Sequence, residues 1–219
     1  MAATFLIGAH GQIGQQLVPK LINKGITVHA GLRNLNQITD FSENNSLIPE
    51  LFDLTVLPET MAKQFKAANV DLIIFSAGSG GNTGDDATLI IDLDGAVKAM
   101  EAAQLAGIKR FILVSSAASN DRSAWDQTGI KPYMIAKYYA DKLLIQSHLE
   151  YTILRPGALQ NKPGTGHIAL VTDGQTNLGH LMISREDVAE VIATIIDMPT
   201  TYRQVYTLGS GSQVITTAF

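Results

Sequence analysis

The 219-residue sequence contains no cysteine. That absence removes disulfides, thiolate nucleophiles and cysteine-based metal sites together. The five histidines, His10, His29, His148, His167 and His180, form no i, i+4 pair and no His-Glu-x-x-His arrangement, so no metal site is expected. Charge is sparse as well. Charged residues make up 16% of the chain, the net charge is −4, and Lys and Arg form no run. A nucleic-acid partner and an anionic membrane surface are therefore not expected. No apolar run reaches the roughly 18 residues of a membrane-crossing helix. No basic n-region of a secretory signal precedes the first apolar run. The chain reads as soluble and cytoplasmic. What remains is ordinary globular material, 46% hydrophobic, without internal repeats or low-complexity tracts, and long enough for one domain with a full core.

The stretch from Thr4 to Ile7 is a short apolar run of the kind a buried strand provides, and it stops at Gly8. Gly11 and Gly14 follow, and Ile13, Leu17, Val18, Leu21 and Ile22 then recur at helical spacing. Strand, glycine turn and helix in that order form the context in which a glycine motif cradles a dinucleotide. The first glycine permits the turn, the second lets backbone approach a pyrophosphate, and the third lets helix pack on strand. The helix N-terminus offers free N–H groups and a positive dipole end. His10, Gln12 and Ile13, which fill the turn, join the three glycines as candidate cofactor-binding residues. The spacing here is G-x-x-G-x-x-G, and a plain tight turn is the alternative.

Downstream, strands and helices alternate. The first helix is predicted from Gln12 to Lys24, ending at Gly25, with an irregularity at Pro19. Ile26 to Gly31 is the second strand, and Arg33 stands just beyond it. An enzyme that prefers NAD places an acid there for the ribose 2′-hydroxyl, whereas an Arg accommodates the 2′-phosphate of NADP. No Asp or Glu lies between Gly25 and Thr39. NADP is therefore the expected cofactor, with NAD possible and a solvent-facing Arg33 as the bland alternative. Ser46 to Phe52 is a third strand closed by Asp53 and Leu54, and a helix follows over Pro58 to Ala68. Val70 to Ala77 is a central strand, and the loop from Gly78 to Gly84 faces either the cofactor or solvent. A long helix is predicted from Asp86 to Ala106, then a strand from Arg110 that ends in Ser115 and Ser116.

A polar loop carrying Trp125 leads to a helix opening at Pro132, and the sixth strand runs from Glu150 to Gly157. A small hairpin is predicted over Gly166 to Gly174. Ser184 to Asp187 reads as a capping box for a helix over Val188 to Met198, and Gln204 to Leu208 as a last strand. The fold class that follows is α/β, a Rossmann-type doubly wound parallel sheet in a single NAD(P)-binding domain over 1–219, with 158–183 as a small substrate lid.

Tyr133 and Lys137 stand four residues apart, on one helix face. A phenol has an unperturbed pKa of about 10. A neighbouring ammonium favours the phenolate, which makes such a tyrosine usable as a general acid or base. Ser116 is placed to polarise a carbonyl oxygen, while hydride would come from a nicotinamide. A half-buried Tyr beside a solvated Lys is the competing structural interpretation.

The glycine spacing, the Ser-Ser strand end and Tyr-x-x-x-Lys together resemble the short-chain dehydrogenase/reductase superfamily. More closely, the chain is similar to its atypical branch of small bacterial NAD(P)-binding proteins, which are NmrA-like or sugar-epimerase-like. The segments Asp92–Gly95, Lys109–Ser116, Tyr151–Gly157 and Ile183–Ala189 fit that branch. The resemblance implies that Gly8, Gly11 and Gly14 bind pyrophosphate and that Arg33 meets the adenosine phosphate. It implies that Asp53 and Leu54 flank the adenine and that Ala77, Gly78 and Ser115 line the cofactor. Ser116, Tyr133 and Lys137 would be the catalytic group, Lys137 also touching the nicotinamide ribose, with Pro156 and Gly157 beside the nicotinamide. Where many relatives carry Asn, this chain has Asp92 or Asp94. It is also shorter than sugar-nucleotide epimerases, which append a substrate domain. The expectation is NADPH-dependent reduction of a small carbonyl-type or quinone substrate. The alternatives are a non-catalytic NADP-sensing regulatory protein of the NmrA-like kind and, third, a nucleoside-diphosphate-sugar epimerase. The substrate is left unnamed, and the oligomeric state stays open between monomer and homodimer.

Overall fold

The structure is a computed structural model, and it describes residues 3–38, 40–41, 44–81, 83–171 and 181–219. Apolar, β-branched-rich segments form the strands β1 (Ala3–Ile7), β2 (Thr27–Leu32), β3 (Leu47–Leu51), β4 (Leu72–Phe75), β5 (Arg110–Val114) and β6 (Glu150–Pro156). These pair in parallel in the order β3-β2-β1-β4-β5-β6. The order reverses direction between β1 and β4, and there the carboxyl ends of the two strands open a crevice. β10 (Gln204–Ser210) extends the sheet in parallel beside β6.

Helices cover both faces. Leu17 and Leu21 of α1 (Gly14–Asn23) meet Val188 and Ile192 of α7 (Arg185–Ile195) over Leu6, Ile74 and Ile112. Met61 and Phe65 of α3 (Pro58–Ala68), Ala99 and Met100 of α5 (Ala96–Ala106) and Leu144 of α6 (Lys131–Gln146) pack on Phe5, Ile73, Phe75 and Phe111. Residues alternating along one strand thus enter opposite cores, which is why the central strands are apolar without interruption.

The main differences from expectation lie in three places. First, the long helix predicted over 86–106 is not uniformly α-helical. A short α4 (Asp85–Ala87) leads into a π-helical segment, Thr88–Gly95, and only then into α5. Second, β8 (His167–Val171) is no arm of a separate hairpin. It joins the main sheet antiparallel to β10, with β11 (Gln213–Val214) antiparallel on its other side. Residues 172–174, the rest of that expected hairpin, lie outside the described residues. Third, β7 (Ala158–Gln160) and β9 (Met182–Ser184), at the two ends of the expected lid, pair in parallel as a small second sheet. α1 runs through Pro19, whose ring lies on the exposed side and which offers no N–H to the helix ladder. A four-residue α2 (Leu35–Ile38) follows Arg33.

Candidate functional site

Two clefts meet at the carboxyl end of β4, where both are walled by Ser76, Ala77, Gly78 and Ser79. The first, of about 320 Å³, lies over the glycine turn. Gly8 has φ +87°, a conformation glycine adopts without penalty, and a Cβ there would lie 2.7 Å from the Ala77 nitrogen. Gly11 donates its N–H to the Gly8 carbonyl at 2.9 Å. Gly14 is the first residue of α1 and packs directly on the turn. No side chain caps α1; the Gln15 and Gln16 N–H groups donate to the Gly11 and Ile13 carbonyls, and the positive dipole end at Gly14 faces the turn. The bare glycines and the uncapped helix leave a cradle of the shape and polarity that a pyrophosphate requires.

Gly8, His10, Gly11, Arg33, Asp53, Leu54, Ala77 and Gly78 all line this first cleft. The loop after β2 is organised by side chains. The Arg33 N–H donates to Gln37 Oε1 at 2.8 Å, the Gln37 N–H donates to Asn34 Oδ1 at 3.1 Å, and His10 Nε2 lies 2.8 Å from Asp40 Oδ2. Asp53 is held in a tight turn, accepting from the Thr55 N–H at 2.7 Å.

The second cleft, of about 530 Å³, brings Ile13, Ala77, Gly78, Ser115, Tyr133 and Lys137 together. Pro132 near the start of α6 supplies a preset φ, and the next turns carry Tyr133 and Lys137 inward. The Lys137 ammonium donates to the Val114 carbonyl at 3.3 Å, lies 3.1 Å from Asp92 Oδ1, and stands 5.4 Å from the centre of the Tyr133 ring. Lys137 and Asp92 are both withdrawn from solvent, at 3% and 0% exposure. Burial by itself lowers the Lys137 pKa, but Tyr133, then Asp92 and Asp141, outweigh it and hold the pKa above the ordinary lysine value. Beneath Ser115, the buried Asp141 accepts from Arg155 Nε at 2.8 Å and from the Ser119 hydroxyl at 3.2 Å. Burial raises the Asp141 pKa against the pull of Arg155.

Five of the residues singled out from sequence line neither cleft. Gln12 is exposed, and Gly14 is buried in the turn-to-helix contact. Ser116 is half-buried, with its hydroxyl donating to the Ala117 carbonyl at 3.3 Å. Pro156 is buried, and its carbonyl accepts from the Ala117 N–H at 2.8 Å. Gly157 packs so closely on Leu181 that a Cβ would come within 2.3 Å of its carbonyl oxygen.

Gln37 and Thr88 join the clefts without having been expected there, while Ser79, Gly80, Gly81 and Thr83 bring the loop after β4 to the second cleft and Leu159 brings one residue of the expected lid. Of Asp92 and Asp94, the structure turns Asp92 inward, whereas Asp94 pairs with Lys98 at 2.6 Å on the outside. The signal for Asp92 was a lone acid inside the apolar run Leu89-Ile-Ile-Asp-Leu. Among the described residues, no cluster of His, Asp and Glu has the makings of a metal site. No helix there is long and apolar enough to cross a membrane.

A model of the NAD(P)H-binding family matches residues 8–199. A Bacillus subtilis (strain 168) protein named uncharacterized sugar epimerase YhfK is 45% identical over 215 residues, spanning 98% of this chain and 97% of that protein. Among solved structures, the oxidoreductase ylbE from Lactococcus lactis has a TM-score of 0.85 at 33% identity, covering 97% of this chain and 93% of its own. ChuY, an anaerobillin reductase from Escherichia coli O157:H7, has a TM-score of 0.74 at 25% identity, covering 95% and 97%.

Proposed function

This chain belongs to the NAD(P)H-binding family and is an atypical short-chain dehydrogenase/reductase, and on that footing we propose that it is an NADPH-dependent reductase of a small carbonyl-type or quinone substrate. One observation carries the proposal. The cleft walled by Tyr133 and Lys137 opens onto the same Ser76–Ser79 rim as the glycine-turn cleft, so a dinucleotide seated on the turn has a phenol and an ammonium at its far end. A solved relative that carries the name reductase supports a reductive direction.

When bound, the reduced nicotinamide supplies hydride. The residues of the chain do the rest. Gly8, Gly11 and the N-terminus of α1 hold the pyrophosphate, and Arg33 pairs with the 2′-phosphate through its planar guanidinium. Tyr133 donates its hydroxyl proton to the substrate oxygen. The carbonyl carbon gains hydride while the C=O π pair takes that proton, giving an alcohol and leaving a phenolate on Tyr133. Lys137, one helical turn away, steadies that phenolate. Ser115 lines the same cleft, and Ser116 lies next to it at the strand end.

NADPH oxidation measured against a panel of aldehydes, ketones and quinones tests the proposal, with Tyr133→Phe as the companion variant. The expected result is turnover with at least one acceptor and a loss of about 10²- to 10⁴-fold in Tyr133→Phe, with NADPH affinity retained. Unchanged turnover in Tyr133→Phe would sink the proton-donor role. NADPH binding without oxidation by any acceptor points to the sensor. Cofactor retained through purification together with sugar-nucleotide interconversion points to the epimerase, the activity in the name of the Bacillus subtilis relative.

A further inference from the structure

We infer that Asp92 is a positioning residue whose carboxylate pairs with the Lys137 ammonium and ties it to the cofactor-side loop, so that the proton donor and the cofactor seat are set by one side chain. The inference rests on the proposed role of Tyr133 and adds a control that the family resemblance, with Asn at this place, does not supply.

Asp92 is fully buried within the π-helical segment, Thr88–Gly95. A π-helical turn takes an extra residue, and such turns recur at functional sites. Its two oxygens face different elements. Oδ1 lies 3.1 Å from the Lys137 ammonium on α6, and Oδ2 accepts from the Ser79 N–H at 3.0 Å, on the rim shared by the two clefts. Gly78 makes the approach possible, since a Cβ there would already lie 3.1 Å from Oδ1.

A buried ammonium without a counter-charge sheds its proton, because desolvation disfavours the charged form. The groups facing Lys137 are Tyr133 on its own helix, Asp92 from the π-helical segment, and Asp141 one turn further along α6. Asp141 already answers to Arg155, and Asp85, also lining the cleft, is exposed. That leaves Asp92 as the fixed anion in direct contact. Without it, burial meets less opposition, the Lys137 pKa falls, and the phenolate left on Tyr133 has a weaker partner.

NMR titration of protein labelled at lysine side chains, with the Lys137 signal assigned through Lys137→Arg, tests this without any substrate. In the wild type, Lys137 is expected to titrate above the other lysines. In Asp92→Asn, which keeps an acceptor for the Ser79 N–H, its midpoint is expected to fall by about one pH unit or more. Asp92→Ser serves if the isostere fails to fold. A Lys137 midpoint unchanged in a folded Asp92 variant would overturn the inference. So would a drop in NADPH oxidation in that variant whose alkaline limb keeps its wild-type position, since that marks a merely structural residue. If no acceptor is ever turned over, the reductase proposal fails while the lysine titration still decides the role of Asp92.

Discussion

Gly14 stands so close to Gly8 that a Cβ on it would come within 2.4 Å of the Gly8 carbonyl oxygen and 2.5 Å of the Ala9 carbonyl oxygen. Both obstacles are backbone, so no rotamer change relieves them. Substituting Gly14→Ala must therefore push α1 away from the turn or distort the turn itself, and overpacking of this kind costs about 1–3 kcal/mol. Since the same turn is the proposed pyrophosphate seat, two quantities should fall together. Thermal denaturation should show a lower Tm, and fluorescence titration should show NADPH binding weakened by about tenfold or more. Wild-type affinity in Gly14→Ala would mean that the pyrophosphate sits elsewhere.

Arg33 lines the first cleft, at the end proposed for the adenosine, with its backbone N–H held by Gln37. A guanidinium so placed discriminates by charge, since it pairs with a 2′-phosphate and gains nothing from a 2′-hydroxyl. Wild-type protein should bind NADPH more tightly than NADH. Arg33→Ala should weaken NADPH binding by about ten- to a hundredfold and leave NADH binding nearly unchanged. Calorimetric titration with both cofactors decides it. Equal wild-type affinities would remove Arg33 from the site.

Arg110 opens β5 yet is only 5% exposed. Its guanidinium donates to the Glu150 carbonyl at 2.9 Å, the Thr152 hydroxyl at 2.7 Å, the Ile195 carbonyl at 3.2 Å and the Thr201 hydroxyl at 3.3 Å, and it lies 4.5 Å from the centre of the Tyr202 ring. Burial pushes its pKa down to about 10, so it remains charged at neutral pH. It joins β5, β6 and α7 at the end of the sheet away from the clefts. Arg110→Met should destabilise the fold by about 2–4 kcal/mol, since it strands several buried acceptors. A lower urea midpoint with unaltered NADPH affinity is the expected pattern.

The alternation of strands and helices was legible because each central strand feeds two cores, and a segment such as Leu72–Phe75 therefore shows as an unbroken apolar run. The glycine turn was legible because its three positions are defined by backbone contacts, which demand a residue type rather than a partner. The π-helical segment was not. An apolar pattern from Leu89 to Met100 fits an α-helix well enough, and one extra residue per turn leaves no periodic trace over eight residues. That local widening decides whether Asp92 or Asp94 faces Lys137, so the sequence left the two open. The partner of β8 was hidden for a different reason. Its side-chain period is the same whichever strand it joins, and only long-range pairing with β10 places it in the main sheet. Ser115 and Ser116 share a strand end, and which of them meets the larger cleft depends on the twist of the chain there.

Asp187 was expected to close a capping box; its N–H donates to the Ser184 hydroxyl at 2.9 Å and its carboxylate accepts from that hydroxyl at 2.9 Å, which is the N-cap half of the box. Its carboxylate does more. At 2% exposure it accepts from the Thr165 N–H at 2.9 Å and the Gly166 N–H at 2.8 Å, and the neighbouring Glu186 accepts from the Gly164 N–H at 2.7 Å. The first turn of α7 thus fastens the chain just before β8. Asp187→Ala removes Oδ1, the oxygen that accepts from both N–H groups. Both then lose their side-chain acceptor, a loss worth about 1–3 kcal/mol. Hydrogen exchange should register the change locally, with the Thr165 and Gly166 amides exchanging faster while the β4 and β5 amides keep their protection up to the lowered global stability. Uniform acceleration across the sheet would mean that Asp187 contributes to the fold as a whole and does not anchor this turn.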